Sequence, residues 1–100
     1  MEIIWSDDAR LDYVNNIEYL LKEWTEESAI SFIDEVETIL GLLKTNPKLY
    51  PKSKYKSIRR AVIRKQITLF YQEKESSVYL VRFWNTFKDP LSLNLKSSNS

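Results

Sequence analysis

Apolar residues return at helical spacing twice in the first half of the chain, and the second half changes to strand texture three times. Glu2-Ile3-Ile4-Trp5 is a short apolar run of strand type, stopped by Ser6-Asp7-Asp8. Ser6 is placed to cap a helix, with the two aspartates in a first turn where the helix dipole favours negative charge. Ala9, Tyr13, Val14, Ile17, Leu20, Leu21 and Trp24 then follow a helical stripe. Thr25 caps a second helix with Glu26 and Glu27 in its first turn, and Ala29, Phe32, Ile33, Val36, Ile39, Leu40 and Leu43 trace its inner face. The short join at Trp24-Thr25 makes the pair an antiparallel hairpin. Asn46-Pro47 ends the second helix, because proline disfavours helical geometry in its predecessor. After a lysine-rich loop, β-branched and aromatic residues predict strands over 58–64, 66–72 and 78–84. The polar run 73–77 turns the last two strands as a hairpin, and a tighter turn near Arg64-Lys65-Gln66 separates the first two. Asp89-Pro90 ends the strand region, Leu91, Leu93 and Leu95 are available to dock a tail, and 96–100 is expected to fray. The expected fold is α/β (α+β) in the order β-α-α-β-β-β: a helical hairpin on a small, mainly antiparallel sheet, in one domain spanning 1–95.

Charge is sorted along this pattern. Residues 1–45 carry eleven acidic against three basic side chains, a net of −8, and residues 46–100 carry twelve basic against three acidic, a net of +9. The formal net of +1 hides an acidic helical half joined to a basic strand half. Two outcomes are open: a positive face offered to a polyanion or acidic protein, or helices that neutralise the strands by packing on them. The chain has no cysteine and no histidine, which removes thiolate chemistry, the commonest metal ligand and the commonest base near neutral pH. No metal and no cofactor is expected, and chemistry, if any, runs on Lys, Arg, Tyr or carboxylates. No apolar stretch reaches the length of a membrane span and the start lacks a signal-like region, so a cytoplasmic protein is expected.

Several residues, in order, carry a resemblance. They are Ile3-Ile4-Trp5-Ser6 with Ala9, Leu11 and Ile17-Glu18-Tyr19-Leu20; Trp24 before a helix holding Ala29 and Phe32; and Asn46-Pro47 with Pro51 in the loop. Arg60 follows, then Leu69-Phe70-Tyr71, Val78-Tyr79-Leu80-Val81 and Phe83-Trp84-Asn85-Thr86 leading to Asp89-Pro90. As a set running from about residue 3 to 91, they resemble the RelE/ParE toxin superfamily of bacterial type II toxin–antitoxin systems, also known as plasmid stabilisation proteins. The resemblance implies growth inhibition and neutralisation by an acidic antitoxin. It implies one of two targets: DNA gyrase, poisoned by ParE-like members, or ribosome-bound mRNA, cut by RelE-like members. A toxin fold that has lost activity is the third alternative.

RNA cleavage through the 2′-oxygen needs a base, cations for the phosphorane and an acid for the leaving oxygen. In the RelE-like alternative, Arg60, Arg64 and Arg82 surround the phosphate and Tyr71 carries the proton. Each has a plainer reading: Arg60 as a salt bridge to a helix carboxylate, Arg64 as a solvated turn, Tyr71 as core packing with a satisfied hydroxyl. The expected surface for target and antitoxin comprises Lys52, Lys54, Lys56, Arg60, Arg64, Trp84, Phe87 and Lys88. Relatives often carry an arginine just before the Asp-Pro at the end of the last strand, or a tyrosine in the tail, whereas this chain has Phe87-Lys88 there and no tyrosine after Tyr79. That departure favours the ParE-like inhibitor.

Overall fold

Six elements appear in the expected order: β1 (Glu2–Trp5), α1 (Asp7–Glu23), α2 (Glu26–Thr45), β2 (Arg59–Arg64), β3 (Ile67–Lys74) and β4 (Ser77–Asn85). They come from a computed structural model that describes residues 1–88 and 95. The expectations placed on Asp89-Pro90, on Leu91 and Leu93, and on 96–100 lie outside the described residues.

Both caps form as the sequence requires. Ser6 Oγ accepts from the Ala9 N–H at 2.9 Å, and Thr25 Oγ1 accepts from the Ser28 N–H at 3.0 Å. Ser6 also donates to the Val81 carbonyl at 3.0 Å, so one hydroxyl starts α1 and ties it to β4. Ser6→Ala is expected to cost about 1 kcal/mol. Thermal unfolding would show this as a melting temperature lower by roughly 4–8 °C.

The sheet order is β1-β4-β3-β2, with β1 parallel to β4 and the other pairs antiparallel. The helices cover one face. Phe32, Val36 and Leu43 from α2 and Ala9 and Leu20 from α1 pack on Ala61, Leu69, Tyr71, Leu80 and Phe83 from the sheet. An aromatic chain runs through this layer: Trp5 lies 5.5 Å from Phe83 and 5.2 Å from Tyr13, which lies 5.7 Å from Phe32. Phe32 and Phe83 are fully buried, worth roughly 1.5–3 kcal/mol each, and Trp5 and Tyr13 are partly buried against them, so one side chain from each of β1, α1, α2 and β4 joins the layers.

The β3–β4 hairpin turns on Glu75 and Ser76, with Glu75 at φ 57°. Lys65 and Gln66 make the glycine-free turn between β2 and β3. Two β-bulges then alter which way side chains point. One interrupts β2 between Val62 and Arg64; the other places an extra residue, Val81, in β4 opposite Phe70 and Tyr71. Simple alternation would put Arg60, Val62 and Arg64 on one face, and Arg82 beside Leu80 and Trp84. The first bulge takes Arg64 off the face that Arg60 and Val62 share, and the second takes Leu80 off the side of Arg82 and Trp84, which remain neighbours. Arg64 turns to the helix side, Leu80 stays in the core, and Trp84 points away from it. Among the described residues, no helix is long and apolar enough to cross a membrane.

Candidate functional site

Residues 46–58 form a strap from α2 to β2, and side chains of the sheet clamp it. The Tyr71 hydroxyl donates to the Pro47 carbonyl at 2.8 Å, and Arg59 Nη1 donates to the Tyr50 carbonyl at 2.8 Å. Ser53 closes the strap on itself: its N–H and its Oγ both donate to the Ile58 carbonyl, at 2.8 and 2.7 Å. The Arg60 N–H donates to the Pro51 carbonyl at 3.0 Å, so the first part of the β2 edge is already occupied. The strap carries Lys52, Lys54 and Lys56 into solvent, and Tyr55 lies edge-on to Phe70 at 6.1 Å. Lys54 Nζ sits 5.4 Å from the Tyr55 ring.

Four arginine and tyrosine side chains are the candidates for phosphate chemistry, and they do not converge. Tyr71 is fully buried on the helix side. Burial raises its pKa above the ordinary 10.0, outweighing the pull of a backbone hydrogen bond and of the Arg59 guanidinium. Arg64 is paired with Glu35 of α2, Nη2 to Oε1 at 2.9 Å, and lies 5.9 Å from the Phe32 ring. Arg82 grips Asp12 of α1 with two donors, at 2.6 and 2.9 Å, and also lies 5.3 Å from the Trp84 ring. Arg60 alone of the four is exposed; it stands opposite Phe70 on the face turned away from the helices, with no ion pair among the described residues.

The outward surface therefore joins Arg60 to an apolar and aromatic row. Val62 is 52% exposed, Thr68 and Trp84 pair across β3 and β4, and Phe70 and Tyr55 meet at the strap. Phe87, 53% exposed, and Lys88 lie just beyond β4. Both of their N–H groups donate to Asn85 Oδ1, at 2.9 and 3.0 Å, which fixes where they leave the sheet. Lys52, Lys54, Lys56, Arg60, Trp84, Phe87 and Lys88 can thus all meet a partner, while Arg64 is engaged on the other side.

Sequence reasoning missed Asp12, Asn16 and Asn85. β1 ends opposite Leu80, and side chains of α1 take its place farther along β4. Asp12 Oδ2 accepts from the Phe83 N–H at 3.0 Å, and Asn16 Nδ2 donates to the Phe83 carbonyl at 3.2 Å. Asn16 Oδ1 accepts from Asn85 Nδ2 at 3.0 Å, deep in the core. A signal existed: Asp12 and Asn16 are four residues apart and interrupt the apolar stripe of α1 from within.

A helical hairpin lies on one face of a four-stranded mixed sheet, with cations and aromatic rings on the other face. The chain belongs to the family described as the ParE toxin of type II toxin–antitoxin system, parDE, whose model matches residues 3–90. No curated protein matches it significantly. Among solved structures it is similar to the chromosomal ParDE system from P. aeruginosa, with a TM-score of 0.72 and 15% identity, covering 85% of this chain and 95% of that one. The DinJ-YafQ complex of E. coli gives a TM-score of 0.58 at 16% identity, over 88% and 96% of the two chains. A copper-bound mutant toxin from Helicobacter pylori gives 0.57 at 21% identity, over 89% and 98%. The α+β fold is that of ParE- and RelE-like proteins.

Proposed function

We propose that this toxin acts by binding, as a ParE-like inhibitor of an essential machine such as DNA gyrase, and is neutralised by a cognate acidic antitoxin. One observation carries the choice over mRNA cleavage: Tyr71 is fully buried and its hydroxyl is spent on the Pro47 carbonyl. A proton carrier must reach the substrate, and this phenol reaches only the strap. The ion pairs of Arg64 and Arg82 agree with that reading, because each already compensates a helix carboxylate. The family adds support for the toxin half of a two-protein system.

In this reading the basic strap and outward sheet face, with Arg60, Lys52, Lys54, Lys56, Trp84, Phe87 and Lys88, form the surface for target and antitoxin. Aromatic rings supply contact area, and the cations steer an acidic partner. Titrating purified protein into a gyrase supercoiling reaction is the test. Inhibition is expected, and Arg60→Gln should weaken it roughly three- to ten-fold, as loss of one rim cation does. Undiminished supercoiling at several-fold molar excess, with mRNA cut on ribosomes by the same preparation, would reverse the assignment.

A further inference from the structure

The clamped strap creates a second feature, which shares Lys52 with the proposed partner surface. Lys48, Lys52 and Arg59 line one cavity of about 270 Å³, with Ser57 and Glu73 completing its wall. Lys52 and Arg59 are directly opposite each other in an antiparallel bridge. Like charges in that position repel, and an anion held between them would offset that repulsion. Glu73 offsets part of that charge from the cavity wall, but among the described residues it closes no ion pair with any of the three cations. Arg59 is held in place by its bond to the Tyr50 carbonyl, and Lys48 and Lys52 flank that anchor on the strap. The cations are therefore mounted on backbone fixed before any ligand arrives, which lowers the ordering cost of binding.

We propose that this notch binds a phosphate group. Three cations and one carboxylate leave a net charge of +2, which matches a phosphate monoester at about −1.5 to −2 better than a single carboxylate. Arg59 provides forked donors, the lysines provide point charges, and the cavity leaves room for a group attached to the phosphate. The site does not depend on which machine the toxin inhibits.

The test is a nuclear magnetic resonance titration of the full chain with sodium phosphate, against sodium chloride at equal ionic strength. Saturable shifts are expected at the Lys48, Lys52, Ser57 and Arg59 amides, with half-saturation at roughly millimolar concentration for so open a site. Lys52→Gln should weaken binding roughly five-fold or more, and Glu73→Gln should strengthen it, as removal of a like-charged neighbour of the ligand requires. Melting curves of both variants check that the fold is intact. Adenosine 5′-monophosphate and an oligonucleotide without terminal phosphates separate the sources. Tighter binding of the first assigns a small monoester, and tighter binding of the second a nucleic-acid backbone. Shifts that match chloride, or binding unchanged in Lys52→Gln, would overturn the proposal.

Discussion

Asp12→Ala is expected to destabilise the protein by about 3 kcal/mol, from breaking a part-buried ion pair and leaving a backbone N–H without its acceptor. In a domain of this size that lowers the melting temperature by roughly 12–24 °C. Two losses combine. The Arg82 guanidinium, 28% exposed, keeps its place beside Trp84 without its carboxylate, and the Phe83 N–H loses its acceptor at the uncovered edge of β4. Asp12→Asn retains an acceptor for Phe83 and should cost about half as much. Pairing Asp12→Ala with Arg82→Met should cost less than the sum of the single changes, since both remove the same ion pair. A shift of only a few degrees for Asp12→Ala would mean that the pair does not hold α1 to β4. Arg82 would then be open to a substrate role.

Tyr71→Phe separates the two accounts of toxicity. The change removes one hydroxyl that donates to Pro47 and leaves a carbonyl to find water, for about 1–2 kcal/mol of stability. Growth inhibition per folded molecule should be unchanged. If the phenol carried a proton in RNA cleavage, the same substitution would remove a catalytic factor of roughly 10²–10⁴. Alkaline titration gives a second readout. The raised pKa of Tyr71 means the folded state favours the neutral phenol, so this contribution to stability is complete below pH 10.0 and fades as pH rises through the folded value. Tyr71→Phe should flatten that alkaline decline, though not abolish it, because burial also raises the pKa of Tyr13.

The helices, their caps and the strand order were legible because each has a local signature. Ser6 and Thr25 precede acidic first turns, the apolar spacing of α2 is unbroken, and Asn46-Pro47 stops it. Strand ends were off by one or two residues, as at Ser77–Asn85 against the expected 78–84. The outward position of Arg60 follows from Ala61 and Ile63 entering the core. The directions of Arg64 and Arg82 did not follow, because each lies beside a bulge that no glycine announces. Their partners lie 29 and 70 residues away, and no local pattern encodes pairing over such separations. Charge sorting was visible in the sequence. Two ion pairs among the described residues, Arg64–Glu35 and Arg82–Asp12, partly cancel it and appeared only once α1 and α2 were packed on the sheet.

The most direct test is pulse-labelling of DNA and protein synthesis in the first minutes after this chain is induced alone in bacteria. A toxin that blocks gyrase by binding should lower DNA labelling first while translation continues, and Tyr71→Phe should behave like the unaltered chain. An immediate fall in protein labelling, abolished by Tyr71→Phe, would contradict the account and make the chain a nuclease.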